Sequence, residues 1–157
     1  MRANWLRWLL LFLVVSAVFQ LPAQQSEADR KLLADVRAKA EKGDAQSQYE
    51  LGSAFAAGSL GLAKDAGEAV KWFRKAAEQN CADAQYNLGV SYALGEGVAK
   101  DEVQAVKWYH KAAEQNDASA QNNLGNCYAN GQGVAKDELE AVRWFRKAAE
   151  QKEAKAQ

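Results

Sequence analysis

The chain has little of what most function classes require: one proline, one histidine, one methionine and two cysteines occur in 157 residues. A structural zinc site takes about four ligands in short-spaced pairs. Cys81, Cys127 and His110 are too few and too scattered to supply one, so neither a metal nor a cofactor is expected. Charge of one sign is also missing, because 20 basic residues balance 20 acidic ones. That excludes a strong field for nucleic acid or anionic lipid. What remains is a globular composition, 48% hydrophobic and 25% charged. Proline is scarce and alanine abundant, which points to packed helices.

Apolar residues run uninterrupted only near the start. Arg2 and Arg7 precede an apolar run from Trp8 to Phe19, followed by Gln20, Leu21-Pro22-Ala23 and Gln24-Gln25. This is the three-part layout of a secretory signal peptide over residues 1–23. A membrane-spanning helix needs about 20 apolar residues, so no stable membrane insertion is expected after cleavage. Cleavage is expected after Ala23, with Ala17 as an earlier option and an uncleaved short anchor as the alternative. No cysteine near the site supports a lipid-modified type. The expected location is the periplasm of a Gram-negative bacterium, or otherwise secretion. Removing residues 1–23 takes away the only proline and leaves 18 basic against 20 acidic residues.

The remainder repeats itself. Trp72, Trp108 and Trp144 are 36 residues apart, as are Asp65, Asp101 and Asp137. Leu51-Gly52, Leu88-Gly89 and Leu124-Gly125 follow at 37 and 36. The extra residue falls in the loop Gly58-Ser59-Leu60-Gly61, where insertion costs least. The units are residues 44–80, 81–116 and 117–152, preceded by a capping helix over 26–43. Residues 153–157 match the opening of a fourth repeat.

Each unit reads as two helices. In the first, Ala82, Gln85, Leu88, Gly89 and Tyr92 share one face of a 3.6-residue period. Gly95-Glu96-Gly97 ends it. The second opens on a capping box, Asp101 with Gln104, echoed by Asp65 with Glu68 and Asp137 with Glu140. Ala105, Trp108, Tyr109, Ala112 and Ala113 share its face, which predicts that the tryptophans are core. Asn80 and Asn116 close it. Leu32, Leu33, Val36 and Ala40 mark the leader as a cap for the open face of repeat 1. At the far end the last helix lacks such a cap, which predicts fraying or end-to-end self-association.

The string Ala-x-x-Gln-x-x-Leu-Gly-x-x-Tyr, then Gly-x-Gly-Val-x-x-Asp, then Ala-x-x-Trp-x-x-Lys-Ala-Ala resembles the Sel-one-like repeat, a branch of the tetratricopeptide-like helical repeats. It covers Asp44 to Gln151. The departures are Leu62 for Val98 and Val134, the insertion in repeat 1, and Asn80, Asn116 or Lys152 where a glycine is usual. The resemblance implies an all-α, right-handed α-solenoid of three helix-turn-helix repeats with an N-terminal capping helix. It also implies a scaffold or adaptor for protein–protein interaction, not an enzyme.

Differences between repeats 2 and 3 locate a surface. In the second helix they are conservative, and His110 reads as a solvated residue against Arg74 and Arg146. In the first helix they are drastic and fall on a stripe that, by the resemblance, lines a concave groove. It holds Gln46, Tyr49, Ser53 and Ala57, then Asp83, Tyr86, Val90 and Leu94, then Ser119, Asn122, Asn126 and Asn130, with Asn87 and Asn123 joining. Tyrosines offer rigid amphipathic area, and asparagines can donate to and accept from an extended backbone. The partner expected is another protein or a peptide segment of one. Neutral drift on a solvated face is the alternative.

Cys81, in a loop, and Cys127, late in a helix, are expected beyond disulfide reach, which leaves Cys81 able to pair with another molecule. Two other functions stay open. One is a periplasmic regulator of a sensor or of envelope or polysaccharide assembly. The other is a β-lactam-binding or hydrolysing enzyme, ascribed to cysteine-rich relatives. Their cysteine pairs correspond to Ala77 and Gln85 here, and no Ser-Lys or Ser-His arrangement replaces them.

Overall fold

Three kinds of residue punctuate the chain at fixed places. Gly58, Gly95 and Gly131 end the first helix of each repeat in the left-handed conformation. Asp65, Asp101 and Asp137 start the second, each carboxylate accepting from the backbone N–H three residues on at 2.9, 3.0 and 3.0 Å. Such a cap contributes about 1 kcal/mol. Asn80 and Asn116 then close the helix at φ +67° and +65°.

The result, in a computed structural model that describes residues 26–156, is a succession of helices. They are α1 (Glu27–Glu41), α2 (Ala45–Ala57), α3 (Ala66–Glu78), α4 (Ala82–Leu94), α5 (Glu102–Glu114), α6 (Ala118–Asn130) and α7 (Glu138–Ala156). The expected signal segment lies outside the described residues. Helices adjacent in sequence are adjacent in space, α2 on α3, α4 on α5 and α6 on α7, with α3 on α4 and α5 on α6 joining the pairs. The all-α solenoid follows. Among the described residues no helix is long and apolar enough to cross a membrane. Residues 153–156 continue α7 instead of opening a new helix. Lys152 stands where Asn80 and Asn116 adopt positive φ, so nothing there stops the helix.

Within a repeat the two helices meet at a glycine. A methyl group placed on Gly52, Gly89 or Gly125 would lie 2.8, 2.6 or 2.7 Å from the ring of Phe73, Tyr109 or Phe145. The flanking Leu51, Leu88 and Leu124 are 0% exposed, each burial favouring the fold by about 1.5–3 kcal/mol. The tryptophans are displaced from this contact: Trp144 is core, as expected, whereas Trp72 and Trp108 only pack against the core clusters, which corrects the expectation for those two. Trp72 and Trp108 are only partly buried, and Trp144 alone reaches 7% exposure. One residue is about 100° on a helix, so the aromatic after each tryptophan points at the glycine. The tryptophan lies on the flank beneath the ammonium of Lys75, Lys111 or Lys147, 4.0–4.3 Å from its ring centroid.

Repeats are joined by buried glutamines. Gln48, Gln85 and Gln121 donate to the carbonyls of Ala40, Ala77 and Ala113 at 3.1, 3.1 and 3.0 Å, satisfying the end of the preceding helix. Each accepts in turn from Gln79, Gln115 or Gln151 at 2.7 Å. Gln48 thereby ties α1 to repeat 1, where Val36 and Ala40 pack with Leu51. The leader is a cap, as expected.

The capping boxes form only in their first half. The backbone N–H groups of Asp65, Asp101 and Asp137 donate instead to the carbonyls of Phe55, Tyr92 and Tyr128, each at 2.9 Å. Tertiary packing has taken the donor that a reciprocal box needs. Glu68 and Glu140 consequently pair with Lys71 and Arg143.

Asp44 and Asp117 cap α2 and α6, but Cys81 at the same place before α4 makes no side-chain cap. Replacing Cys81 by Asp should stabilise the fold by about 0.5–1 kcal/mol, read from urea unfolding. Gly89→Ala should destabilise it by about 1–3 kcal/mol, because its methyl group overlaps the Tyr109 ring. A midpoint unchanged in either variant would contradict the packing described.

Candidate protein-binding face

Burying one side of α2, α4 and α6 leaves one side outward. On α2 the buried positions are Ser47, Gln48, Leu51, Gly52 and Ala54. Gln46, Tyr49, Glu50, Ser53 and Ala57 fall between them and are exposed or half-exposed. The same register on α4 and α6 places the stripe residues together. Asp83, Leu94, Asn126 and Asn130 are exposed, and Tyr86, Asn87, Val90, Asn122 and Asn123 are partly so. Glu50 belongs to this face as well. It lay outside the stripe only because repeats 2 and 3, compared alone, carry asparagine in its place.

Two tyrosines rest on the core. The ring of Tyr49 lies 6.1 Å from Phe73, and that of Tyr86 lies 6.1 Å from Tyr109. Asn122 replaces them in repeat 3, so no ring lies over Phe145 from that position. Asn87 and Asn123 are already committed within the fold. Asn87 donates to the Asp83 carbonyl at 3.1 Å, and Asn123 hydrogen-bonds the Tyr109 hydroxyl. The amides of Asn122, Asn126 and Asn130 and the hydroxyls of Tyr49 and Tyr86 have no protein hydrogen-bond partner among the described residues. Those groups are free to meet a ligand.

Two titratable groups behind the face are shifted by burial. Burial pushes the Tyr109 hydroxyl up to about 12, against the opposing hydrogen bond of Asn123. Burial also raises the Cys127 thiol, so it is not a thiolate nucleophile at neutral pH. Both cysteines are free, Cys81 half-buried and Cys127 buried. His110 is half-buried, with Nδ1 3.1 Å from Glu114 and its ring edge-on to Trp144 at 5.4 Å. It is therefore more engaged than the solvated residue expected. No group of three or more metal-ligating side chains stands together among the described residues.

A solenoid of three helical hairpins behind a capping helix, with an outward stripe that varies while the buried positions repeat, defines a class of helical-repeat protein. The Sel1 repeat family matches at residues 45–81, 82–117 and 118–153, and the chain belongs to that family, whose members are in general scaffolds for protein–protein interaction. No curated protein matches it. Among solved structures it is similar to c5321, described as a protective antigen of uropathogenic Escherichia coli strains with an SLR fold. The identity is 49%, the TM-score 0.73, and the match covers 76% of this chain and 25% of that one. A Sel1 repeat protein from Oxalobacter formigenes is 46% identical at TM-score 0.66, over 69% of this chain and 43% of the other. Cysteine-rich protein B of Helicobacter pylori is 28% identical at TM-score 0.61, over 77% and 89%. The chain thus spans about a quarter and under half of the first two relatives.

Because Tyr109 is protonated more readily folded than unfolded, its contribution to stability is full below pH 10 and is lost as pH rises to about 12. Tyr109→Phe, which copies Phe73 and Phe145, should show a shallower stability loss across that window in urea unfolding. Parallel curves for the two proteins would contradict the burial of that hydroxyl.

Proposed function

We propose that the chain is an exported scaffold or adaptor that holds a peptide segment of another protein on the outward face of α2, α4 and α6. The observation that carries this reading is the set of uncommitted polar groups on that face. Tyr49, Tyr86, Asn122, Asn126 and Asn130 offer donors and acceptors that the fold does not use, beside an exposed Leu94 at 63%. Leu94 continues the strip of Tyr86 and Val90 along α4, so apolar area and free polar groups stand side by side on one face. The buried positions behind it repeat almost unchanged, so the differences between repeats are concentrated where a ligand would read them.

Export is supported by the charged, apolar and small-residue layout of residues 1–23. The periplasm of a Gram-negative bacterium is the location this supports. Mass analysis of the chain recovered from an osmotic-shock fraction should find an N-terminus at Gln24. A full-length chain confined to the cytoplasm would refute export.

Affinity capture from envelope extracts, with the chain as bait, should recover a partner. Replacing Tyr86, Asn122 and Asn126 together by alanine should weaken that capture by about 2 kcal/mol or more, roughly 30-fold. A folded triple variant that captures as well as the native chain would sink the assignment of this face.

A further inference from the structure

Charge is divided between the two kinds of helix. Among the described residues every lysine, arginine and histidine lies on α1, α3, α5 or α7 or in a connecting loop, and α2, α4 and α6 hold none. The outward face of those three helices instead carries two carboxylates, Glu50 and Asp83. Glu50 accepts from Gln46 Nε2 at 3.2 Å. The Asp83 carboxylate is exposed and has no side-chain partner among the described residues.

Asp83 stands at one end of the least polar part of the face. Tyr86, Val90 and Leu94 follow it along α4, and Asn122 and Asn126 occupy the corresponding places on α6. Helix α5 packs against both α4 and α6 and so holds the two rows to one register. From Asp83 to Val90 is seven residues of helix, about 10 Å of rise, which three residues of extended chain also span. A cation arriving at Asp83 meets no resident cation to displace. An anion arriving there meets a carboxylate.

We propose that this face selects an extended segment of another protein in which a lysine or arginine stands about three residues from an aliphatic or aromatic side chain. The cation faces Asp83, and the apolar side chain covers Val90 and Leu94 beside the Tyr86 ring. Backbone amides exchange hydrogen bonds with Asn122 and Asn126. This selection presupposes that the face is the peptide site and adds which peptides it takes.

Panning a phage-displayed library of random octapeptides tests both. The baits are the mature chain, Asp83→Lys, and the Tyr86→Ala, Asn122→Ala, Asn126→Ala triple variant, each checked for native helix content by circular dichroism. On the native chain, lysine and arginine should be enriched over aspartate and glutamate by roughly two- to fivefold, as an exposed ion pair supports. An apolar residue should recur at fixed spacing from the cation. Asp83→Lys should invert the charge preference, and the triple variant should lose the enrichment. Peptides with no charge bias, or acid-rich ones, that are still lost on the triple variant overturn the cation selection and leave the face as a peptide site. Selection that survives the triple variant, or no enrichment at all, overturns both. A self-association in sedimentation that Asp83→Lys dissolves assigns the face to a second copy of the chain and equally overturns the selection.

Discussion

The approach of a helix backbone to an aromatic ring, at Gly52 against Phe73, Gly89 against Tyr109 and Gly125 against Phe145, is the contact from which the rest of the structure follows. Without a side chain at that position the two helices of a repeat close to within ring contact, and the leucine before it is shut off from water. The same closure decides what stays outside. Once 47, 48, 51, 52 and 54 are consumed on α2, residues 46, 49, 50, 53 and 57 are among those left to face solvent. The face assigned to binding is thus the complement of the packing surface.

Close packing of helix ends creates a second demand, since the last carbonyls of a helix have no partner within it. The glutamines answer it. Gln48, Gln85 and Gln121 are 1–4% exposed, and each both donates to a terminal carbonyl and accepts from the glutamine at the end of the next helix. A buried amide satisfied in this way holds the repeats in register, whereas one left unpaired would cost about 1–3 kcal/mol. The tips of the loops add to the same joint. A side chain on Gly97 or Gly133 would run into the carbonyl of Ala66 or Glu102 of the preceding repeat, at 2.1 Å. Both glycines have positive φ as well.

Much of this is legible in the sequence. The 36-residue period placed the glycine turns, the aspartate caps and the closing asparagines, because each of these is a local event that a residue type settles through its own backbone preference or side-chain reach. Other features were not legible, for reasons of geometry. Periodicity could not separate Trp108 from Tyr109, which are neighbours on one broad apolar stripe, and only the direction of approach of Gly89 decides between them. The capping boxes looked complete, yet the N–H of each aspartate is claimed by a carbonyl of the neighbouring helix. Asn87 and Asn123 stand beside Asn122 and Asn126 in the pattern, yet each also makes a contact within the fold, one with its own helix and one with the Tyr109 hydroxyl.

The sequence by itself determined the helices, all but the last of their ends, their order and the existence of a face that differs from repeat to repeat, since all of these depend on residues within one turn or one period of each other. It also determined that the face lacks cations, which is a matter of counting. Tertiary structure decided which side chains on that face are spent and which are free. A hydrogen-bond partner from another helix, such as Tyr109 for Asn123 or Gln115 for Gln85, is set by the distance between elements, and no local pattern encodes that distance. The unspent groups, Asp83, Tyr86, Asn122 and Asn126, are those left over when every close approach has been satisfied.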